Sequence, residues 1–281
     1  MGVCVKYWLL DHPSIGRFRW SSTESWGSTW SFLVMAIGTY ITTSLTLHVI
    51  FKIAGRRRGV PLGRIPAMHS LLMSVVSATV FTGMVISAVA EIRQTRWLWQ
   101  RTRKHSLEWF LCFPLGIRPS GPVFFWSYAF YLSRLLHLFR TLFVILQHRT
   151  LSFSTLFNHS MLLLMSFLWL EFAQSFQVLA ILFSTLVYTV VYGHRFSREI
   201  RMLPSASEGI TLRASCQMLV LACFNLVCHI GVLLLHILRG GCNGIGAWAF
   251  NSVLNAAILF LFLNSYVNIF SQKKASMSAI S

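Results

Sequence analysis

Arg134, His137, Arg140 and Thr141 lie inside one apolar run, YLSRLLHLFRTLF, over 131–143. At roughly 100° per residue they share a helical stripe about 120° wide. The run holds no acidic residue. Two guanidiniums beside an imidazole therefore call for an anion from outside the chain. Arginine grips phosphate or carboxylate in a two-pronged fork, so a phosphate-bearing substrate answers that call. The alternative is a helix whose arginines snorkel to its wet end.

A second cluster opens the next run, LSFSTLFNHSMLLLMSFLWLEF, over 151–172. Thr155, Asn158 and His159 share a face by i, i+3, i+4 spacing. The connection between the two runs is short, so both clusters can sit at one membrane depth. Asn158-His159-Ser160 matches a glycosylation acceptor, but a membrane helix would make it unusable. The following run carries Gln177, Ser184, Tyr188 and Tyr192. Tyr192 suits an interfacial aromatic belt, and Tyr188 sits deeper as a polar lining. Farther on come Gln217, Asn225, His229 and His236. The last three form an i, i+4, i+11 stripe without a carboxylate. Hydrogen bonds between helices account for it better than a metal does, and no metal site is expected.

These side chains need a scaffold, and composition restricts it. The chain has 281 residues, 24 Lys+Arg against 7 Asp+Glu and a formal net charge of +17; 55% is apolar and 11% charged. Soluble domains run near 25% charged, so an ordinary cytosolic globule is excluded. The 14% aromatic content excludes disorder. Lys and Arg sit in short segments between apolar runs, a pattern of leaflet contact and topology signals, not of nucleic-acid binding.

Seven runs approach the length needed to cross about 30 Å of hydrocarbon: 30–53, 67–90, 122–145, 151–170, 173–193, 214–237 and 247–269. Backbone polar groups must pair within each segment there, which predicts helices. The expectation is an all-α membrane protein, a seven-transmembrane-helix bundle forming a single domain over 1–281. Its first helix would act as the insertion signal. Glu171 marks the turn between the fourth and fifth runs, and GGCNGIG (240–246) is a glycine-rich turn. WLWQRTRKHSLEWFLCF (97–113) fits an interfacial amphipathic helix. The positive-inside rule nearly ties, because Arg93, Arg96, Arg101, Arg103 and Lys104 oppose the 55–66 loop, Arg149, the 194–201 segment and Lys273-Lys274. Of six cysteines, Cys216, Cys223 and Cys228 read as small buried hydrophobes. No disulfide framework is expected, and Cys112 lacks a neighbour that would activate it as a nucleophile.

The succession YLSRLLHLFRTLF, LSFSTLFNHSMLLLMSFLWLEFAQSFQVLAILFSTLVYTVVYGHRF and RASCQMLVLACFNLVCHIG resembles the ELO family of fatty-acid elongases, in its divergent plant branch. The likeness spans roughly residues 6–270 and rests on the order and spacing of polar residues in the third to sixth runs. The family's K-x-x-E-x-x-D-T motif falls on Arg134, His137, Arg140 and Thr141, with bases at both acidic positions. Its H-x-x-H-H box falls on Thr155, Asn158 and His159. A family histidine falls on Tyr188.

The resemblance implies an endoplasmic-reticulum, multi-pass condensing enzyme with an acyl tunnel between helices. Malonyl-CoA and a long-chain acyl-CoA would give 3-oxoacyl-CoA, CoA and CO2, with no cofactor beyond these substrates. His159 would handle protons or acyl transfer, and Asn158 would orient the thioester. Arg134, His137 and Arg140 would bind the malonyl carboxylate or a CoA phosphate and stabilise the enolate, and Tyr188 would supply a hydroxyl. Thr141, Thr155, Gln177 and Gln217 would add substrate contacts, and Arg195, Arg198 and Arg201 would meet CoA phosphates at the cytosolic mouth. Direct condensation without an acyl-enzyme stays open. Partners would be the ketoacyl reductase, dehydratase and enoyl reductase of the elongation cycle, the lipid bilayer and a homo- or hetero-oligomeric neighbour, not nucleic acid. Two other readings remain: a catalytically altered elongase-like protein that binds acyl-CoA or regulates an active elongase, and a seven-helix receptor or transporter.

Overall fold

The computed structural model describes residues 7–54, 60–98, 110–147, 153–200, 223–224, 226–238 and 240–278. Among the described residues, the only β pairing is an isolated bridge between Arg19 and Ser120. Five helices among the described residues are long and apolar enough to cross a membrane. They are α1 (Trp30–Ile53), α2 (Ile65–Leu98), α3 (Pro122–Leu146), α4 (Phe153–Glu171) and α5 (Gln177–Ile200). Then come α6 (Leu226–Leu238) and α7 (Ile245–Ser278), whose apolar stretches are shorter. The all-α class and the membrane-scale helices match expectation. Among the described residues, two of the seven expected crossings are represented only by these shorter stretches.

Local chemistry sets the helix starts. Thr29 has extended backbone and its hydroxyl accepts from the Phe32 amide at 3.2 Å, capping α1. Pro122 opens α3, where its missing N–H costs nothing, after Gly121 at φ 91°. The first and third apolar runs delimit α1 and α3 to within one residue. Ends at 90 and 269 were expected, yet α2 continues to Leu98 and α7 to Ser278. Apolarity marks what can lie in hydrocarbon. A helix continues past that limit until Gly or Pro breaks it, and EIRQTRWL contains neither. The interfacial helix expected over 97–113 lies mostly outside the described residues.

The α4–α5 reversal occupies 172–176, later than the turn expected at Glu171. Ala173 and Phe176 adopt positive φ there, 41° and 75°. Three segments are stitched together at this end of the bundle. The Phe113 amide donates to Ser175 Oγ at 3.0 Å, and Ser175 Oγ donates to Asn243 O at 2.9 Å. Asn243 N donates to Phe113 O at 2.9 Å, and its Nδ2 donates to Phe172 O and Ala173 O, both at 3.1 Å.

A disulfide joins Cys112 to Cys242 in the same knot, with Cα atoms 5.1 Å apart. This corrects the expectation of no bridge. The cysteines are 130 residues apart, and only the stacking of two turns brings them together. Cys223 is also corrected: it is exposed, whereas Cys228 is buried as expected.

Gly244 closes the knot at φ +70°, and a Cβ there would sit 2.8 Å from Gln174 Cα and 2.9 Å from Phe172 O. Both obstacles belong to the main chain and cannot swing aside. Gly244→Ala is therefore expected to lower stability by about 2 kcal/mol or more, read as a lower unfolding temperature in detergent.

The segment before α1 closes the same end. Trp126 Nε1 donates to Leu9 O at 3.0 Å, Tyr131 OH to Gly27 O at 2.8 Å and Trp20 Nε1 to Glu171 Oε2 at 2.9 Å. The apolar core runs from here through α3, α4 and α5, and includes Phe130, Tyr131, Leu163, Phe167 and Val178.

Candidate functional site

α3 supplies the centre of the site. Arg134, His137 and Thr141 are all buried, as one stripe of the helix turned toward α1, α4 and α5. The snorkelling alternative fails for Arg134, which is 2% exposed. Its guanidinium lies over the Phe130 ring at 4.3 Å and the Tyr188 ring at 4.5 Å, a cation–π sandwich. Nε and Nη2 donate to Ser133 Oγ at 3.3 and 3.0 Å. Nη1 is buried with no hydrogen-bond partner among the described residues. Burying such a cation without a carboxylate is costly, and a site that holds one invites an anion.

α4 brings His159 against this stripe. Its ring centroid lies 4.5 Å from that of His137. His159 Nδ1 is 2.9 Å from Thr141 Oγ1 and 3.3 Å from Tyr40 OH, and those two hydroxyls are 2.8 Å apart. Both ends of the contact come from helices already fixed by packing, so the ring cannot turn freely. No hydrogen bond to the described residues engages Nε2. Asn158, the next residue, is also buried.

α5 completes the cluster with Tyr188 and Tyr192, whose rings meet His137 edge-on at 5.4 and 5.6 Å. Tyr188 lies deep, as expected. Tyr192 was assigned to an interfacial belt; it is buried at 1% exposure, and its hydroxyl has no partner among the described residues. One helical turn separates the two tyrosines, so both face α3 and share one environment. Met73 of α2 packs beneath them.

At the end of the bundle away from the disulfide, the site borders polar groups. Arg140 is half-buried, 5.7 Å from the Tyr192 ring. Arg195 and Arg198 are half-buried on the last turns of α5. Arg195 lies within electrostatic range of Arg140, Arg198 and Glu199. His69 of α2 meets Leu136 O at 3.1 Å, and Ser70 Oγ donates to Glu199 Oε2 at 3.1 Å.

Other expected residues do not join the centre. Gln177 is fully buried with both amide atoms unpartnered among the described residues, but it begins α5, eleven residues before Tyr188. That is about 16 Å along the axis, so it cannot share a small substrate group with His159. Thr155 is half-buried a turn from His159. Gln217, Arg201 and Asn225 lie outside the described residues. His229 forms the expected contacts between helices, Nδ1 with Ser252 Oγ at 2.8 Å and Nε2 with Asn255 Nδ2 at 2.9 Å. His236 Nδ1 accepts from the Cys242 amide at 2.9 Å.

Tyr40 was not anticipated. It sits in IGTYITTSLTLH, a stretch of α1 dense in hydroxyls. That polar density within a membrane-scale helix was the available signal. Together the central groups are rich in donors and free of carboxylates, inside an apolar shell. Such an arrangement stabilises negative charge developing on oxygen.

The pattern of ELO, the GNS1/SUR4 family, matches residues 25–278. The chain is 56% identical over 269 residues to "Fatty acid elongase 3-like" of Arabidopsis thaliana, covering 95% of this chain and 92% of that protein. It is 24% identical over 268 residues to "Fatty acid elongase A" of Dictyostelium discoideum, covering 93% and 91%. No solved structure matches the chain. With the family pattern covering almost the whole bundle, the chain belongs to the ELO (GNS1/SUR4) family of fatty-acid elongases.

Proposed function

We propose that the chain is the condensing enzyme of fatty-acid elongation, a very-long-chain 3-oxoacyl-CoA synthase. Malonyl-CoA loses its carboxylate as CO2. The electron pair of the broken C–C bond forms a new bond to the thioester carbonyl carbon of a long-chain acyl-CoA. The C–S bond then breaks, and the departing thiolate takes a proton to give CoA. The transition states place negative charge on enolate and carbonyl oxygens. One observation carries the reading: Arg134, His137 and His159 are buried in contiguous contact with Tyr188, with Arg134 Nη1 unpartnered among the described residues. Donors held in a dry site are what this chemistry requires.

The acyl chain would lie between the helices, and Arg140, Arg195 and Arg198 would meet the CoA phosphates. The disulfide supports one orientation. Such bonds persist in oxidising compartments, which supports a luminal position for the Cys112–Cys242 end and a cytosolic one for the arginine end. That assignment favours one side of the near-tie of basic loops and supports residence in the endoplasmic-reticulum membrane. A ketoacyl reductase, a dehydratase and an enoyl reductase would consume the product in turn.

The test uses full-length protein in detergent with labelled malonyl-CoA and a series of acyl-CoAs. Labelled 3-oxoacyl-CoA is the expected product. Its absence with every primer would overturn the reading in favour of an acyl-CoA-binding or regulatory role. Arg140→Leu is expected to raise the apparent KM for acyl-CoA roughly 10- to 100-fold, the worth of one charged hydrogen bond to phosphate. Unchanged kinetics would remove Arg140 from the site.

A further inference from the structure

We infer that Tyr40 and Thr141 lock His159 as the Nε2–H tautomer, so that His159 donates a hydrogen bond to the reacting oxygen and never carries the acyl group. The inference rests on the condensation proposed above and fixes the role of one residue in it.

The argument is a count of protons. Tyr40 OH, Thr141 Oγ1 and His159 Nδ1 form a closed triangle with sides of 2.8, 2.9 and 3.3 Å. All three residues are buried. Neither hydroxyl has another hydrogen-bond partner among the described residues. Each hydroxyl brings one proton that needs an acceptor. If Nδ1 is bare, the Thr141 proton goes to Nδ1 and the Tyr40 proton to Thr141 Oγ1, so both hydroxyl protons are accepted and the one donor left over, Nε2–H, lies outside the triangle. If Nδ1 carries hydrogen, it donates to Thr141 Oγ1 and cannot accept. One hydroxyl proton then has nowhere to go, and a buried unsatisfied donor is penalised. A doubly protonated ring fails in the same way and adds a cation beside Arg134. The neutral ring with hydrogen on Nε2 is the arrangement that closes.

Chemistry follows from the tautomer. Attack on a thioester requires a nitrogen lone pair directed at the carbonyl carbon. The Nδ1 pair is occupied by the clamp, and Nε2 presents hydrogen. Asn158 offers no nucleophilic nitrogen, since an amide nitrogen has no available pair. Provided that His137, whose Nε2 is unpartnered among the described residues, carries no acyl group either, both CoA thioesters must be bound together. The malonyl C–C bond breaks, its electron pair attacks the acyl carbonyl, and the Nε2–H bond stabilises the oxygen that becomes negative. Tyr40 and Thr141 are positioning residues, because they act through His159.

Three measurements test the assignment on the full-length protein. First, 15N spectra of histidine-labelled protein are expected to show, for the signal lost in His159→Ala, a bare Nδ1 and a protonated Nε2. The reverse pattern overturns the lock, whether or not the protein turns over. Second, incubation with acyl-CoA alone is expected to release no CoA and add no acyl mass. An acyl adduct that disappears in His159→Ala overturns the donor role. Third, His159→Gln, whose amide can present N–H near the Nε2 position, is expected to retain more activity than His159→Ala; equal loss counts against the donor. Tyr40→Phe and Thr141→Val should each lower kcat roughly tenfold with little change in KM, and Thr141→Ser should restore it. An unchanged kcat in both variants, or a change confined to KM, overturns the positioning role. Failure of every primer to react sinks the condensation itself, an outcome distinct from a wrong tautomer in the 15N spectrum.

Discussion

His159→Ala is expected to lower kcat for 3-oxoacyl-CoA formation by about 10²–10³-fold, the usual cost of removing one preorganised donor. The ring lies 4.5 Å from His137 and is held by Tyr40 and Thr141, so no neighbour can swing in to replace it. The variant should still fold, because the stitched end of the bundle lies farther along α4. Resistance of the Cys112–Cys242 pair to maleimide labelling without reductant would verify that. A variant that keeps this resistance and turns over at the wild-type rate would remove His159 from the mechanism.

Replacing both Cys112 and Cys242 with alanine is expected to cost about 2–4 kcal/mol of stability. The bridge closes a span of 130 residues, and cross-links over long spans restrict the unfolded chain most in the polymer account. Reductant should lower the unfolding temperature of the wild type and leave the double variant unmoved. Turnover at low temperature should survive the double substitution, because the bridge lies at the opposite end from Arg140. A reductant-insensitive wild type would show that the knot of hydrogen bonds around Asn243 and Ser175 holds the end together unaided.

How much of this was legible depended on whether the signal was local. A stripe of Arg134, His137 and Thr141 in one apolar run can be read from spacing, because helical geometry alone places those residues on one face. Their convergence with His159 followed from the short α3–α4 connection. Tyr188 followed from depth along its run, but the same reasoning misplaced Tyr192: an aromatic near a helix end looks interfacial until another helix covers it. Tyr40 lies 119 residues from His159, and no spacing rule spans such a distance. The Cys112–Cys242 pair escaped for the same reason. Helix ends beyond 90 and 269 were hidden because hydropathy reports the solvent a segment tolerates, whereas the backbone keeps its ladder until chemistry interrupts it.

The Cys112–Cys242 bond also counts crossings. Among the described residues four helices, α3 to α6, lie between its two sulfurs. An even number of traverses returns the chain to the compartment it left, and an odd number does not. In the proposed topology, an α6 that slipped back during synthesis would strand the second thiol in the reducing compartment, and the bond could not close. In the topology proposed above, oxidation at this position would be a parity check on biogenesis, completed only after translocation of the α6–α7 turn, and an unpaired Cys112 would mark chains threaded the wrong number of times.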